Sequence, residues 1–357
     1  MSASPDIDNR KIVAPFLAIL TVIAVGAVLK VAQSVVLPLI IAWLLSYLLG
    51  PAINAMARRK VPTALSTVII LTILFVLLYL VGIFLYGRVL VIKMEYTSYI
   101  SRFDLIIEHV KLKWQFADVY IQRLEELDWL TMIGLKLANA AGTGLSFVQH
   151  LLIVIIYLVF LLLGKPFFKY KLLKALDSSQ ASRVDSIVSA IAGQISRYLY
   201  VQFLISFITG FCVWLALTII KVDFPVTWGA LAFMLNFIPI LGSIVASIPP
   251  ILFAFIQYAP DSWWPGIATA LSLLSIQMVI GNGIAPKVLG DSLNLSPVVV
   301  LMSLIFWGWL WGIIGALLSI PIASAIKIVC ENIEPLRPIS IMMGSGKAYR
   351  HEFETAG

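Results

Sequence analysis

The side chains with something to offer a ligand sit where the chain interrupts its own apolar runs. From Gly281 to Pro321 only Lys287 and Asp291 are charged, yet Pro286, Gly290, Pro297, Gly308, Gly312, Gly315 and Pro321 break the stretch. Proline removes a backbone donor and clashes with the preceding turn. Irregular backbone at membrane depth persists only where protein or a water-filled cavity covers it. Broken apolar segments of this kind point to a binding site between membrane helices. A second break runs from Asn236 through Pro239 to Gly242, and Gln277 and Asn282 stand just before the long broken stretch. Gln202, Ser206 and Thr209 recur at spacings of four and three, so a helix puts them on one face. Amides and hydroxyls can hold an uncharged polyhydroxylated solute without the cost of burying charge. The same groups also serve as hydrogen-bonding glue between helices. The candidate solute-binding or hinge set is Asn236, Pro239, Gly242, Gln277, Asn282, Pro286, Lys287, Gly290, Asp291, Ser296, Pro297, Gly312 and Gly315. The solute is expected between Asn236–Gly242 and Asn282–Pro297.

Other chemistries find little support. The P-loop, G-x-S-x-G and H-E-x-x-H patterns are absent, so no catalytic residue and no cofactor is expected. His109, His150 and His351 are isolated, which leaves no metal-ligand spacing, and Cys212 and Cys330 read as inert thiols in apolar surroundings. Between Tyr198 and Pro286 the charges are Lys221, Asp223 and Asp261, all at expected turns. A buried carboxylate relay for protons is therefore not visible. Lys287 with Asp291 is the nearest approach to one, and reads as a pair at a hairpin mouth.

Hydrophobic residues make up 61% of the 357-residue chain and charged residues 12%, against about 25% charged in soluble domains. The chain reads as an all-α polytopic membrane protein. Full spans are expected at 12–30, 35–54, 63–87, 146–164, 199–220 and 262–284. The apolar run Ile12–Leu29 is too long for a signal peptide core, so it reads as a retained first helix. Stretches 225–258 and 293–329 are too long for one span and are broken, the first at Pro239 and Gly242, the second around Gly308–Gly315. Both read as helical hairpins that return to the side they came from.

With the N-terminus in the cytoplasm, six spans and two opposed hairpins place sixteen of the 25 bases inside, with nine acids, and nine bases and nine acids outside. That bias follows the positive-inside rule. The net charge of +7 then reflects topology and contact with acidic lipid rather than nucleic acid. Residues 88–145 are polar, and Ile100, Phe103, Ile107, Val110 and Trp114 share a helical face, so an amphipathic helical region is expected between spans 3 and 4. It suits a cap, a gate, a scaffold arm or an oligomer contact. The domain plan is a membrane scaffold at 1–164, an amphipathic connector at 165–198, a transport unit at 199–330 and a polar, loosely ordered cytoplasmic tail at 331–357.

Several short patterns occur in order: Asn236-Phe-Ile-Pro239-Ile-Leu-Gly242, Ile248-Pro249-Pro250, Pro286-Lys287-Val-Leu-Gly290, Leu295-Ser296-Pro297, Phe306-Trp307-Gly308-Trp309-Leu310-Trp311-Gly312-Ile-Ile-Gly315 and Pro321. With Arg58-Arg59-Lys60-Val61-Pro62 near the N-terminus, they resemble the autoinducer-2 exporter family of bacterial membrane proteins. The likeness covers essentially the whole chain and is strongest from Val201 onward. It implies export of the quorum-sensing furanone autoinducer-2, or a related small solute, from a bacterial inner membrane. It also implies a homo-oligomer, a pentamer by that likeness, and elevator-like movement of the broken-helix unit. Some members are assigned cation/proton antiport instead; glycine-lined hairpins also suit a passive channel, and a membrane organiser with residues 88–145 as its binding surface is a third class.

The topology is directly testable. A cysteine replacing Arg59 is expected to react with an impermeant thiol reagent only from the cytoplasm, and one replacing Asp118 only from outside. Reversed labelling overturns the assignment.

Overall fold

The computed structural model describes residues 9–113, 144–239, 241–258, 261–289 and 294–346. Among them every regular element is helical. In chain order they are α1 (Asn9–Val31), α2 (Gln33–Arg58), α3 (Thr63–Lys113), α4 (Gly144–Ala175), α5 (Ser178–Ile220), α6 (Pro225–Leu235), α7 (Leu241–Tyr258) and α8 (Trp264–Ile276). A π-helical segment (Gln277–Ile284) runs into α9 (Ala285–Leu289). Then come α10 (Pro297–Asn332), a 3-10 turn (Glu334–Leu336) and α11 (Arg337–Met343). Among the described residues six stretches are long and apolar enough to cross a membrane, in α2, α3, α5, α7, α8 with its continuation, and α10, so the all-α polytopic expectation holds. The spans expected from sequence fall in α1 to α5 and in α8 with its π-helical continuation.

Three features of the helices differ from expectation. α1 and α2 meet at Ala32 alone (φ −84°, ψ 11°), too short a joint for a loop. α3 does not stop at the membrane boundary but continues as one 51-residue helix into the polar region. Its apolar face from Ile100 to Trp114, and residues 114–143, lie outside the described side chains and residues. Residues 165–198 are the adjoining ends of α4 and α5, joined at Leu176 and Asp177 rather than forming a separate element.

Packing is divided among three cores. Ala42, Ile53, Ile70, Leu71, Val154, Leu158 and Leu162 knit α2, α3 and α4 together. Val213, Leu217, Trp228, Ala232, Ala246, Ala254 and Leu273 knit α5 to α6, α7 and α8. Leu44, Tyr47, Ile191, Ile195, Leu318 and Ile328 join the two halves through α2, α5 and α10. Outward faces are apolar as well: Leu20, Val68, Phe160 and Trp309 are each more than half exposed. Water would not tolerate such a surface, whereas lipid does.

Lipid offers no hydrophobic drive for helix association, so close backbone approach carries much of it. At the crossing of α5 and α6 a Cβ built on Gly210 would lie 2.6 Å from the Gly229 carbonyl oxygen, and one on Gly229 2.8 Å from that of Gly210.

Both hairpins are present. α6 and α7 form the first, with its tip at Asn236–Pro239. α10 is two arms, because Trp311 (φ −127°, ψ 15°) and Gly312 (φ 64°, ψ −144°) leave helical geometry within it. Gly312 occupies a backbone region that only glycine adopts readily. Across this second hairpin the Ser303 hydroxyl donates to the Ser319 carbonyl at 2.8 Å.

The 43-residue α5 relates the two. At its C-terminal end Gln257, at the base of the first hairpin, donates to the Lys221 carbonyl (3.0 Å). Tyr258 donates to the Ile220 carbonyl at 3.1 Å. At its N-terminal end Arg183 donates to the carbonyl of Asn332, the base of the second hairpin. The hairpins therefore open at opposite ends of α5. The tail beyond Asn332, read from its polarity as loose, is folded as far as Gly346. Ser296 N–H donates to the Met343 carbonyl (2.9 Å) and Ser345 Oγ to Asn294 Oδ1 (2.8 Å).

Gly315 tests this packing. A Cβ there would fall 1.9 Å from the Trp307 carbonyl oxygen, backbone that cannot swing away, whereas one on Gly308 meets Ala316 at an ordinary 3.7 Å. Gly315→Ala is expected to destabilise by about 1–3 kcal/mol or more, and Gly308→Ala to cost little, in thermal unfolding of the detergent-solubilised protein.

Candidate functional site

The tip of the first hairpin is built by turn geometry and then roofed by α5. Proline at 239 and glycine at 242 stop α6 from continuing. The N–H groups of Asn236 and Ile238 bond back to Ala232 (3.0 Å) and Leu235 (2.8 Å), and that of Gly242 to Ile238 (3.1 Å). Gly242 is needed for contact as well: a Cβ there would lie 1.8 Å from the Leu235 carbonyl oxygen. The Asn236 carbonyl is covered from outside the hairpin, by Gln202 Nε2 of α5 at 2.7 Å. Asn236 Nδ2 in turn donates to Ser206 Oγ at 3.0 Å. Gln202 and Ser206 are both buried. The polar face read from their spacing is thus the tip's cover.

Beside this cover is a cavity of about 10 Å³, lined by Thr209, Val213, Ala232, Asn236, Ser243, Ala246, Ser247, Leu273, Ile276 and Gln277. It lies between α5, the first hairpin and the end of α8. Its polar half is three hydroxyls and two amides, and none of the ten residues carries a charge. Thr209 Oγ1 and Ser247 Oγ donate to the carbonyls of Ile205 (2.9 Å) and Ser243 (2.8 Å) in their own helices. That leaves their oxygens as acceptors, while the amides of Asn236 and Gln277 carry both donors and acceptors. The space suffices for about one water. A solute of several heavy atoms needs the walls to part.

The structure gathers part of the expected set and separates the rest. Asn236 and Gln277 share the cavity, with Pro239 and Gly242 shaping the tip beside it. Asn282 is exposed and donates weakly to the Met278 sulfur (3.3 Å). Pro286 and Lys287 are exposed on α9. Ser296 caps α10, accepting from Val299 N–H at 3.2 Å, and Pro297 takes its first turn. Gly312 and Gly315 form the tip of the other hairpin, away from the cavity lining. Gly290 and Asp291 lie outside the described residues.

Four features went unread in the sequence. Ser243 and Ser247 line the cavity, and their spacing of four in an apolar arm was the available signal. Gln277 opens a π-helical turn of eight residues, a geometry frequent at functional sites. Thr269, fully buried one turn before Leu273, has a hydroxyl without a partner among the described residues. Lys327 is only 5% exposed on the second arm of α10, next to Ser324, whose buried hydroxyl is also unpartnered among the described residues.

A family model described as AI-2E family transporter matches residues 17–334. The chain belongs to the AI-2E transporter family. Relatives with provisional transport-protein names include one from Haemophilus influenzae, 29% identical over 96% of this chain and 99% of the relative. Another, from Borreliella burgdorferi, is 32% identical over 92% of this chain and 90% of its own length. The AI-2 transport protein TqsA of Escherichia coli K12 is 28% identical over 92% of this chain and 94% of that protein. These matches make the chain a multi-pass membrane transporter by family.

The cover of the tip can be weighed by mutation. Gln202→Leu keeps the size but strands the Asn236 carbonyl, which is expected to cost about 1–3 kcal/mol in thermal unfolding. A variant as stable as the parent removes this bond as the tip's support.

Proposed function

We propose that the protein is a secondary transporter that exports a small, neutral, polar solute, with autoinducer-2 as the first candidate cargo. The observation that carries this reading is the cavity lining: three hydroxyls, two amides and no ionisable group around the break at Asn236–Gly242. A neutral solute rich in hydroxyls satisfies such groups without paying the desolvation penalty of an ion. The name of the TqsA relative supports autoinducer-2 in particular.

The cavity favours a carrier over a passive channel, since space for about one water is not a passage. It also disfavours cation/proton antiport through the same site, because no carboxylate lines it. The working cycle would be elevator-like and driven by an ion gradient, with α5 to α10 moving against the α2–α4 scaffold. A bacterial inner membrane, cytoplasmic termini and a homo-oligomer, pentameric by family likeness, complete the proposal.

Reconstitution in liposomes tests it. Uptake of autoinducer-2 into inside-out vesicles is expected to saturate with solute and to depend on the proton gradient. Asn236→Ala is expected to lower that flux about tenfold, the equivalent of one strong hydrogen bond, and Ala246→Phe, which fills the cavity, to abolish it. Flux that rises linearly with solute, or that survives both substitutions, overturns the reading.

A further inference from the structure

A second cavity lies in the half of the molecule that the transport reading leaves idle. It measures about 250 Å³ and is lined by Gly50, Ile53 and Asn54 of α2, Thr63 and Thr67 of α3, and Leu162 and Lys165 of α4. Its chemistry differs from that of the cavity at the hairpin tip. The Lys165 ammonium enters beside Gly50, 3.9 Å from where a Cβ would stand, and rests over the Tyr47 ring at 4.8 Å. No carboxylate lines the space.

The start of α3 adds to the positive character. Its first intrahelical bond runs from Ser66 N–H to the Pro62 carbonyl at 3.0 Å. The N–H groups of Thr63, Ala64 and Leu65 therefore have no partner within the helix. Such an end favours an anion. Thr67 Oγ1 donates to the Thr63 carbonyl at 2.8 Å, which sets its oxygen in the wall. The carbonyl end of α2 works the other way, but Arg58 in its last turn, with Arg59 and Lys60 directly after it, offsets it.

We propose that this cleft is an oxyanion site that takes a phosphate group, either the phosphodiester of an anionic phospholipid or free inorganic phosphate. Lys165 supplies the charge, Asn54 and Thr63 supply donors, and the α3 N-terminus supplies the dipole. Leu65, Val68 and Leu163, beside the lining residues in sequence, are exposed and apolar, a surface along which acyl chains can lie.

The test uses the full-length, delipidated protein in detergent. It is titrated separately with short-chain phosphatidylglycerol, short-chain phosphatidylcholine and inorganic phosphate, with binding read by native mass spectrometry and melting shift. Lys165→Met is expected to weaken binding about tenfold, and Lys165→Arg to keep it. Asn54→Leu, close in size and without the donor, is expected to weaken it about fivefold and serves if Lys165→Met does not fold. Preference for phosphatidylglycerol over both other probes assigns the site to anionic lipid. Equal or better binding of inorganic phosphate assigns it to the free oxyanion. Failure of the parent to bind any probe, or unchanged affinity in both Lys165→Met and Asn54→Leu, overturns the proposal.

Discussion

Every backbone polar group freed by a helix break at membrane depth has to find a partner inside the protein, because hydrocarbon supplies none. The two hairpin tips are the places where this chain meets that demand, and much of the surrounding structure answers it. At the first tip Gln202 reaches across from α5 to the Asn236 carbonyl, and Asn236 reaches back to Ser206. At the second, the indole N–H of Trp311 donates to the Leu29 carbonyl of α1 at 3.2 Å. Glycines at 242 and 315 let each returning arm press on a carbonyl of the outgoing one. The bases follow a matching rule. Arg102 of α3 donates to the Gln257 carbonyl (2.7 Å) and Arg183 of α5 to that of Asn332. In each case a guanidinium holds the negative end of a hairpin's second arm. The polar extension of α3 is thereby tied to the first hairpin, beyond what a bare cap would require.

Much of this was legible in the sequence because it is written in breaks. Proline and glycine inside otherwise apolar runs located both tips, and Gln202, Ser206 and Thr209 announced a polar face by spacing alone. What stayed hidden has a common cause: it depends on hydrogen-bond register or on docking, neither of which alters composition. The Gln277–Ile284 segment reads as ordinary helix because a π turn keeps the same residues and changes only which carbonyl each N–H meets. The single-residue joint at Ala32 has no turn residue to mark it. The tail beyond Asn332 looked loose because it is polar and carries prolines, yet its contacts with Asn294 and Ser296 hold it at the base of the second hairpin. The candidate site was half visible. Asn236 and Gln277 were named, whereas Ser243 and Ser247 were not.

The two cavities divide the molecule by charge. Around the first hairpin the lining is neutral, and it is held closed by an α5–α6 crossing so tight that neither glycine leaves room for a methyl group. In the α2–α4 half the lining carries a lysine and a helix N-terminus. A neutral solute in one and a phosphate in the other would not compete, because each set of groups penalises the other's ligand by desolvation.

The length of α5 has a mechanical consequence. Forty-three residues make a rod of about 65 Å, with the first hairpin secured to one end and the base of the second to the other. Rocking such a rod by 5° about one end carries the opposite end through about 6 Å, roughly one helical turn. Rocking it about a point partway along drives the two ends in opposite directions. A fulcrum near Gly210 would thus link the displacement of one hairpin to a counter-displacement of the other, without any side chain passing a signal between them.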